Sequence, residues 1–486
     1  MPFIIFSRRT YQLVFGLLSC ALIWSFYNRA EYYDEAWFAE QSFWLIRDGQ
    51  VRSELFRGYN GWEHGIYVFH KLFIYAGALV MHVTGISVPS NKIVSIFFGL
   101  AGGYLVWLYG RNQSREQQWL SVLLYFGCGT LIRFISVNRP ETMCMALGFA
   151  SYLALDPPKP SPTKPLLAGI LAGLSALTHL NGLIYLVAGT IWLFLRKGWR
   201  PTIRFALAGS VTLSLYVLDA LLDGQLQTLI AQFRDDPATQ ENMSLASKLM
   251  VMVDYHQIFF HSQNEAALSV LVLLCALAFR KYIQLTQPLL LYTILIIISF
   301  WLLTKSDTDI YYLLFVPWLA ALAAFWLVHY VPRQPPWQLT VARIMLVGYS
   351  AIAITQFVYV INENRNTPDI EAHNTLLASH MPHRHTNVIA PIEFFFGQMD
   401  NYRIKGLTYY FLLEDHNKPT LLATFFEQAN RDKVAYVISD HRLNASYEIP
   451  INAPARIGAY QRIFKDEWNS IYARQPDKNI EIHDLQ

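Results

Sequence analysis

Apolar runs and polar breaks alternate along the first three quarters of this chain. A short start with Arg8 and Arg9 leads into the first run, Tyr11–Tyr27. A long polar interruption, Asn28 to Lys71, follows, within a loop that runs to Asn91. Then come Lys92–Tyr109, Gln118–Ile135, Thr142–Leu155, Leu166–Leu177 and Leu183–Leu195. The later runs are Ile203–Leu222, Ala266–Phe279, Pro288–Leu303, Tyr311–Tyr330 and Leu339–Val360. Together they predict about eleven membrane helices. Several fall short of the roughly 17 apolar residues a span ordinarily needs, so they are expected to tilt or to pack deep in a bundle. Beyond Val360 the pattern changes. Asp369–Met381 has helical spacing, Asn387–Ile392 reads as a strand, Pro419–Arg431 as a helix and Lys433–Ser439 as a strand. That alternation predicts a small α/β domain. The expected architecture is an α-helical multi-pass membrane bundle over residues 1–361, with a soluble α/β domain over residues 362–486.

Composition agrees with this division. Of 486 residues, 53% are hydrophobic and 15% charged, against about 25% charged in soluble domains. A mean hydropathy of +0.25 is modest for a pure bundle and leaves room for one sizeable polar part. The net charge of +3 gives no reason to expect nucleic acid. The distribution of charge says more. Arg111–Arg115, Lys159 and Lys164, Arg196–Arg204, Arg280–Lys281 and Arg333 fall on one side of the predicted spans, almost without acids. Asp34, Glu35, Glu63, Glu141, Asp235, Asp236, Asp307 and Asp309 fall on the other. The positive-inside rule then puts the N-terminus in the cytoplasm, and the 28–91 loop and the C-terminal domain outside. Gly169 and Gly173 form a small-xxx-small pair that predicts close helix packing. Cys20, Cys128, Cys144 and Cys275 all lie in apolar runs, where they are expected as buried small hydrophobes. No disulfide framework or thiolate metal cluster is expected.

The candidate chemistry gathers in the polar breaks. Asp34-Glu35 follows the first run, flanked by Tyr32, Tyr33, Trp37 and Phe38. The pair reads either as solvated loop acids or as a site in which one carboxylate takes a proton from an acceptor hydroxyl. Gly58-Tyr59-Asn60-Gly61-Trp62 precedes Glu63-His64. There the glycines allow tight turns, and His64 is either a surface residue or a phosphate ligand, with Lys71 adding charge. Asn138-Arg139-Pro140-Glu141 sits at a hydrocarbon boundary. Arg139 either pairs with Glu141 in a structural ion pair or offers its planar fork to a phosphate. Thr178-His179-Leu180-Asn181-Gly182 breaks a hairpin, and Lys305-Ser306-Asp307-Thr308-Asp309 leads into Tyr311-Tyr312. The Asp307-x-Asp309 pair alone reads as loop, as does Asp235-Asp236. Asn444-Ala445-Ser446 is a glycosylation sequon.

On these residues the chain resembles the glycosyltransferase C superfamily. It is most similar to the branch holding protein O-mannosyltransferases and the aminoarabinose transferases of lipid A. The resemblance covers roughly Tyr11 to Tyr330. It rests on Tyr33-Asp34-Glu35, on Arg139-Pro140-Glu141, on the Gly169–Gly182 hairpin with Thr-His-Leu-Asn-Gly, and on the Lys305 loop into Tyr311–Pro317. It implies inverting transfer from a polyprenyl-phosphate sugar to a lipid, glycan or protein hydroxyl, with no cofactor and no metal. Asp34 is then the base. Where many relatives have Lys-Pro-Pro or His-Pro-Pro, this chain has Glu63-His64-Gly65-Ile66. Expected substrate contacts are Glu35, Tyr59, Glu63, His64, Arg139, Glu141, His179, Asn181, Lys305 and Tyr311, with Arg139, His64 and Lys305 on the phosphate. The expected setting is a bacterial inner membrane, favoured by the lean size, with an endoplasmic reticulum membrane as the alternative. A secondary transporter is the alternative; its site would lie near the bilayer midplane between repeated halves, and no half-repeat is evident. A non-enzymatic scaffold gives no reason for the acids and Arg139 to converge.

Overall fold

In a computed structural model the described residues are 8–29, 33–111, 113–156, 161–235, 256–304, 308–333, 335–409, 421–441 and 449–475. Lys305, Asp307, Asp236 and the Asn444 sequon lie outside them. The chain divides into two compact units. One comprises Met1–Tyr27, Tyr67–Val80 and Lys92–Thr367, the other Asn28–Ile66, Met81–Asn91 and Pro368–Gln486.

The first unit is helical. Among the described residues four helical stretches are long and apolar enough to cross a membrane: Val88–Arg111, Trp199–Leu222, Asp309–Tyr330 and Trp337–Ser379. The other expected runs appear as shorter apolar helices, among them Glu141–Leu155, Lys164–Thr178, Gln263–Ala278 and Pro288–Leu303. The run at 118–135 is broken: Arg115–Phe126 and Gly129–Phe134 are separate helices. Helix ends follow local chemistry. Ser114 caps Arg115–Phe126 by accepting from Gln117 N. Ser262 and Glu265 form a reciprocal capping box on Gln263–Ala278, satisfying two otherwise orphaned donors. The small-residue pair behaves as expected: a Cβ on Gly169 would lie 2.3 Å from the Phe205 carbonyl oxygen, so Lys164–Thr178 and Trp199–Ser214 touch backbone to backbone. The core is aromatic. Trp318 stacks on Tyr185 at 5.1 Å, and Tyr185 donates its hydroxyl to Leu314 O at 2.8 Å. Cys128, Cys144 and Cys275 are buried, but Cys20 is exposed. The first helix turns Cys20 outward, where an apolar side chain suits lipid as well as a core.

The second unit is built around a six-stranded sheet in the order β2-β1-β3-β6-β5-β4. The strands are β1 (Asn387–Ala390), β2 (Arg403–Gly406), β3 (Tyr436–Asp440), β4 (Arg456–Ile457), β5 (Tyr460–Lys465) and β6 (Asn469–Arg474). β2, β1 and β3 run parallel, and β3, β6, β5 and β4 pair antiparallel. The predicted strands appear as β1 and β3, and the predicted helices as Ile370–Ser379 and Leu422–Arg431. β2 and β4–β6 come in addition. Phe425, Phe426, Val437, Tyr460 and Tyr472 form the core.

Much of the first polar interruption belongs to this unit. Asn28 O accepts from Ile370 N at 2.9 Å, and its Nδ2 donates to Asp369 at 2.8 Å. Val88 N donates to Glu371 at 2.8 Å, and Gly406 N donates to Leu55 O at 2.8 Å. Helix Tyr33–Asp48 leads into a turn held by Glu40. Its buried carboxylate accepts from Ser53 Oγ at 2.5 Å, Glu54 N at 2.6 Å, and Leu55 N and Trp44 Nε1 at 3.0 Å. Burial pushes the Glu40 carboxyl up to about 7, against the pull of these donors.

Candidate functional site

Three of the polar breaks singled out in the sequence meet inside the first unit. The first is the link between helices Gly129–Phe134 and Glu141–Leu155. Pro140 opens the second helix, and its fixed φ suits a helix start. The Arg139 backbone is stitched to Ser95, donating to Ser95 Oγ at 3.2 Å and accepting from it at 3.1 Å. The Arg139 side chain donates through Nη2 and Nε to the Glu141 carboxylate at 3.0 and 3.3 Å. Arg139 is 12% exposed and Glu141 1%, so this is a buried ion pair. Glu141 also lies in the first helical turn, where the helix dipole favours an anion.

The second break is Thr178–Gly182. His179 is extended, with φ −153° and ψ 132°, between helix Lys164–Thr178 and a single 3-10 turn. Its Nδ1 accepts from Asn181 N at 3.0 Å. The neutral ring therefore carries its proton on Nε2, which lies 3.9 Å from Glu141 Oε1. The third break follows helix Pro288–Leu303. Thr304 donates to Asn181 Oδ1 at 3.3 Å, and Tyr311 meets the His179 ring edge-on at 5.5 Å.

His70 completes the cluster and was not singled out in the sequence. It immediately precedes helix Lys71–Thr84, and its ring stacks on His179 at 4.7 Å with 17° between planes. Burial lowers the pKa of both imidazoles. His179 is pushed down to about 3 by burial and then by Arg139. His70 is pushed well below its usual value by burial first, then by His179, with Glu141 pulling the other way. The cluster thus sets the Arg139–Glu141 pair beside two rings that burial keeps uncharged at neutral pH. It offers a cationic fork and an N–H donor out of bulk water, groups that suit an oxyanion. Among the described residues no three His, Cys, Asp and Glu side chains gather as a metal site. Lys71 points elsewhere: it is ion-paired with Asp219 and sits 4.1 Å over the Phe69 ring.

The remaining described candidates lie in the second unit. Asp34 is half-buried in the first turn of helix Tyr33–Asp48. Glu35 is buried, and its main-chain carbonyl accepts from Asn91 at 3.2 Å. The aromatics flanking them pack on one another: Trp37 stacks on Trp62 at 5.2 Å, and Tyr59 meets Trp62 edge-on at 4.9 Å. Glu63 accepts from Gly58 N at 3.1 Å and lies 3.7 Å from His64, whose side chain is 85% exposed.

No protein-family model matches the chain, and no curated protein sequence does. Solved structures do. ArnT from Cupriavidus metallidurans in the apo state is 12% identical, with a TM-score of 0.64 over 95% of this chain and 97% of that one. The same protein bound to undecaprenyl phosphate gives 0.63 at 11% identity, over 96% and 98%. The Archaeoglobus fulgidus oligosaccharyltransferase in complex with Zn and sulfate gives 0.54 at 12% identity, covering 95% of this chain and 73% of that one. Mycobacterial arabinofuranosyltransferase AftD gives 0.51 at 14% identity, over 97% and 40%. These likenesses are of fold alone: the chain shares the fold of these structures. With its apolar helices, the chain is a multi-pass membrane protein.

Proposed function

We propose that the chain is an inverting glycosyltransferase that moves one sugar from a polyprenyl-phosphate donor to an acceptor hydroxyl on the outer face of a bacterial inner membrane. About eleven crossings, with the N-terminus inside, complete the reading. The observation that carries it is the meeting of Arg139, Glu141, His179, Asn181, Tyr311 and His70 at helix breaks. The fold that holds them is shared with a protein crystallised with undecaprenyl phosphate.

In this scheme Asp34 takes the proton of the acceptor hydroxyl. The oxygen attacks the anomeric carbon, the bond from that carbon to the phosphate oxygen breaks, and the electron pair leaves with the polyprenyl phosphate. One displacement inverts the centre, so no enzyme nucleophile is needed. Arg139, steadied by Glu141, carries the growing phosphate charge with the His179 Nε2 proton beside it. Lys305 and His64 are further phosphate contacts. Glu35, Tyr59 and Glu63 orient the sugar or the acceptor. The polyprenyl tail adds affinity at about 0.8 kcal/mol per buried CH₂, so the head needs few contacts.

The test supplies purified protein with a polyprenyl-monophosphate sugar or a nucleotide sugar, each with and without EDTA. Transfer is expected from the lipid donor and is retained in chelator. Activity with the nucleotide sugar alone, or loss in EDTA restored by a divalent metal, would overturn the donor assignment.

A further inference from the structure

The second unit holds a cavity that the proposed transfer leaves unused. It measures about 360 Å³, and its walls include Arg57, Gly58, Asn387, Arg403, Lys405 and Asp432. It lies where β1 and β2 begin, against the Arg57–Gly58 turn that the Leu55–Gly406 hydrogen bond holds to β2. Gly58 has φ +92°, and a Cβ there would come within 3.2 Å of the Tyr409 hydroxyl. A side chain at this position would be strained as well as crowded, so this wall is bare backbone.

Three cations and one carboxylate face the space. Arg57 pairs with Glu54 at 3.1 Å, while Arg52, which Glu54 also meets at 2.7 Å, has Asp48 at 2.8 Å as well. Lys405 lies 3.6 Å over the Tyr409 ring, an attraction that fixes the ammonium in place. Asp432 accepts from Gln428 at 3.0 Å. The volume is at the small end of small-molecule sites. A bare anion needs only the cations. A ligand that also meets Asp432 and Asn387 carries hydroxyl groups. A neighbouring cavity of about 300 Å³ shares Arg403 and has Trp44, Tyr402 and Asp400 in its wall, giving a longer ligand an aromatic surface on which to continue.

We propose that this cavity binds an acidic saccharide, with its carboxylate or phosphate on Arg403 and Lys405 and its hydroxyls on Asp432 and Asn387. That the saccharide is part of the acceptor rests on the transferase reading above; its binding does not. The test is calorimetric titration of the purified full chain in detergent with glucuronate, glucose 6-phosphate, glucose and inorganic phosphate. One or both acidic sugars bind, and which one does so names the oxyanion. Their affinity falls about tenfold or more in Arg403→Gln and in Lys405→Gln. It is unchanged in Arg431→Gln, a pair to Glu427 on the exposed face of helix Leu422–Arg431. Arg403 is exposed, so its substitution leaves the fold intact. No binding of either acidic sugar overturns the proposal. So does equal binding of glucose or inorganic phosphate, and so does binding that survives both substitutions. Transfer is not read in this assay, so its failure and that of the donor assignment are distinguishable.

Discussion

Glu141→Gln separates a structural ion pair from a phosphate site. In the wild type the Arg139 guanidinium is 12% exposed and shares two donors with a carboxylate that is 1% exposed. Glutamine keeps the volume and one acceptor but removes the anion. Breaking a buried pair by removing one partner costs about 3–5 kcal/mol, because the other charge stays buried. The unfolding midpoint of purified Glu141→Gln is therefore expected to fall by several degrees. Undecaprenyl phosphate then becomes the discriminating reagent. If its phosphate meets Arg139, it supplies the anion that the substituted amide lacks, and the lipid recovers part of that loss. A recovery of about 1.4 kcal/mol corresponds to tenfold tighter binding in the variant. The lipid-induced rise in midpoint should thus be larger in Glu141→Gln than in the wild type, and nearly absent in Arg139→Ala. Each is measured by thermal unfolding in the same detergent at matched lipid concentration. An equal rise in all three proteins would show that Arg139 never meets the phosphate.

Asp34→Asn should keep donor binding while transfer falls by a factor on the order of 10² or more; near-normal turnover of the purified variant would assign the base to another residue. Reporter fusions after Arg200 and after Gln486 should report opposite sides of the membrane, and the same side for both would remove the orientation. Glu40 gives a pH test. Its carboxyl is raised from 4.5 to about 7 in the fold, so between these values the folded state binds more protons than the unfolded one. Its contribution to stability is full below pH 4.5 and is lost as pH rises through about 7. Glu40→Gln should flatten that part of the midpoint-against-pH curve; an unchanged curve would mean that the four donors keep the carboxylate ionised.

The breaks were legible because polar residues that interrupt apolar runs need a reason to be there. Arg139 and Glu141, His179 and Asn181, and Tyr311 were all found that way. His70 was not. It stands beside Lys71 at the head of an apolar run, and its partner His179 lies in a distant helix break. In the sheet, β1 and β3 show as apolar runs, while β6 hides. Asn469 and Ser470 are buried, yet they read as surface residues. Their polarity is absorbed by Asn469 Nδ2 donating to Ser439 O at 2.6 Å and Ser470 N donating to Ser439 Oγ at 2.9 Å. A pairing partner that sequence pattern does not supply makes these positions safe to bury. β2, only Arg403–Gly406, is too short and too basic to stand out.

The bond between Asn28 and Asp369 joins residues 341 positions apart, and that sets a timetable for biogenesis. A ribosome adding about 5–20 residues per second needs roughly 17–70 seconds between the two. For most of that interval the segment from Asn28 to Ile66 has been made, but the strands and helix that complete its unit have not. Its Leu55 carbonyl, the Asn28 carbonyl and the helix start at Val88 must wait for Gly406, Ile370 and Glu371. Until then the early segment stands without the residues that complete its unit. A ribosome stalled after Val360 would leave it permanently unfinished.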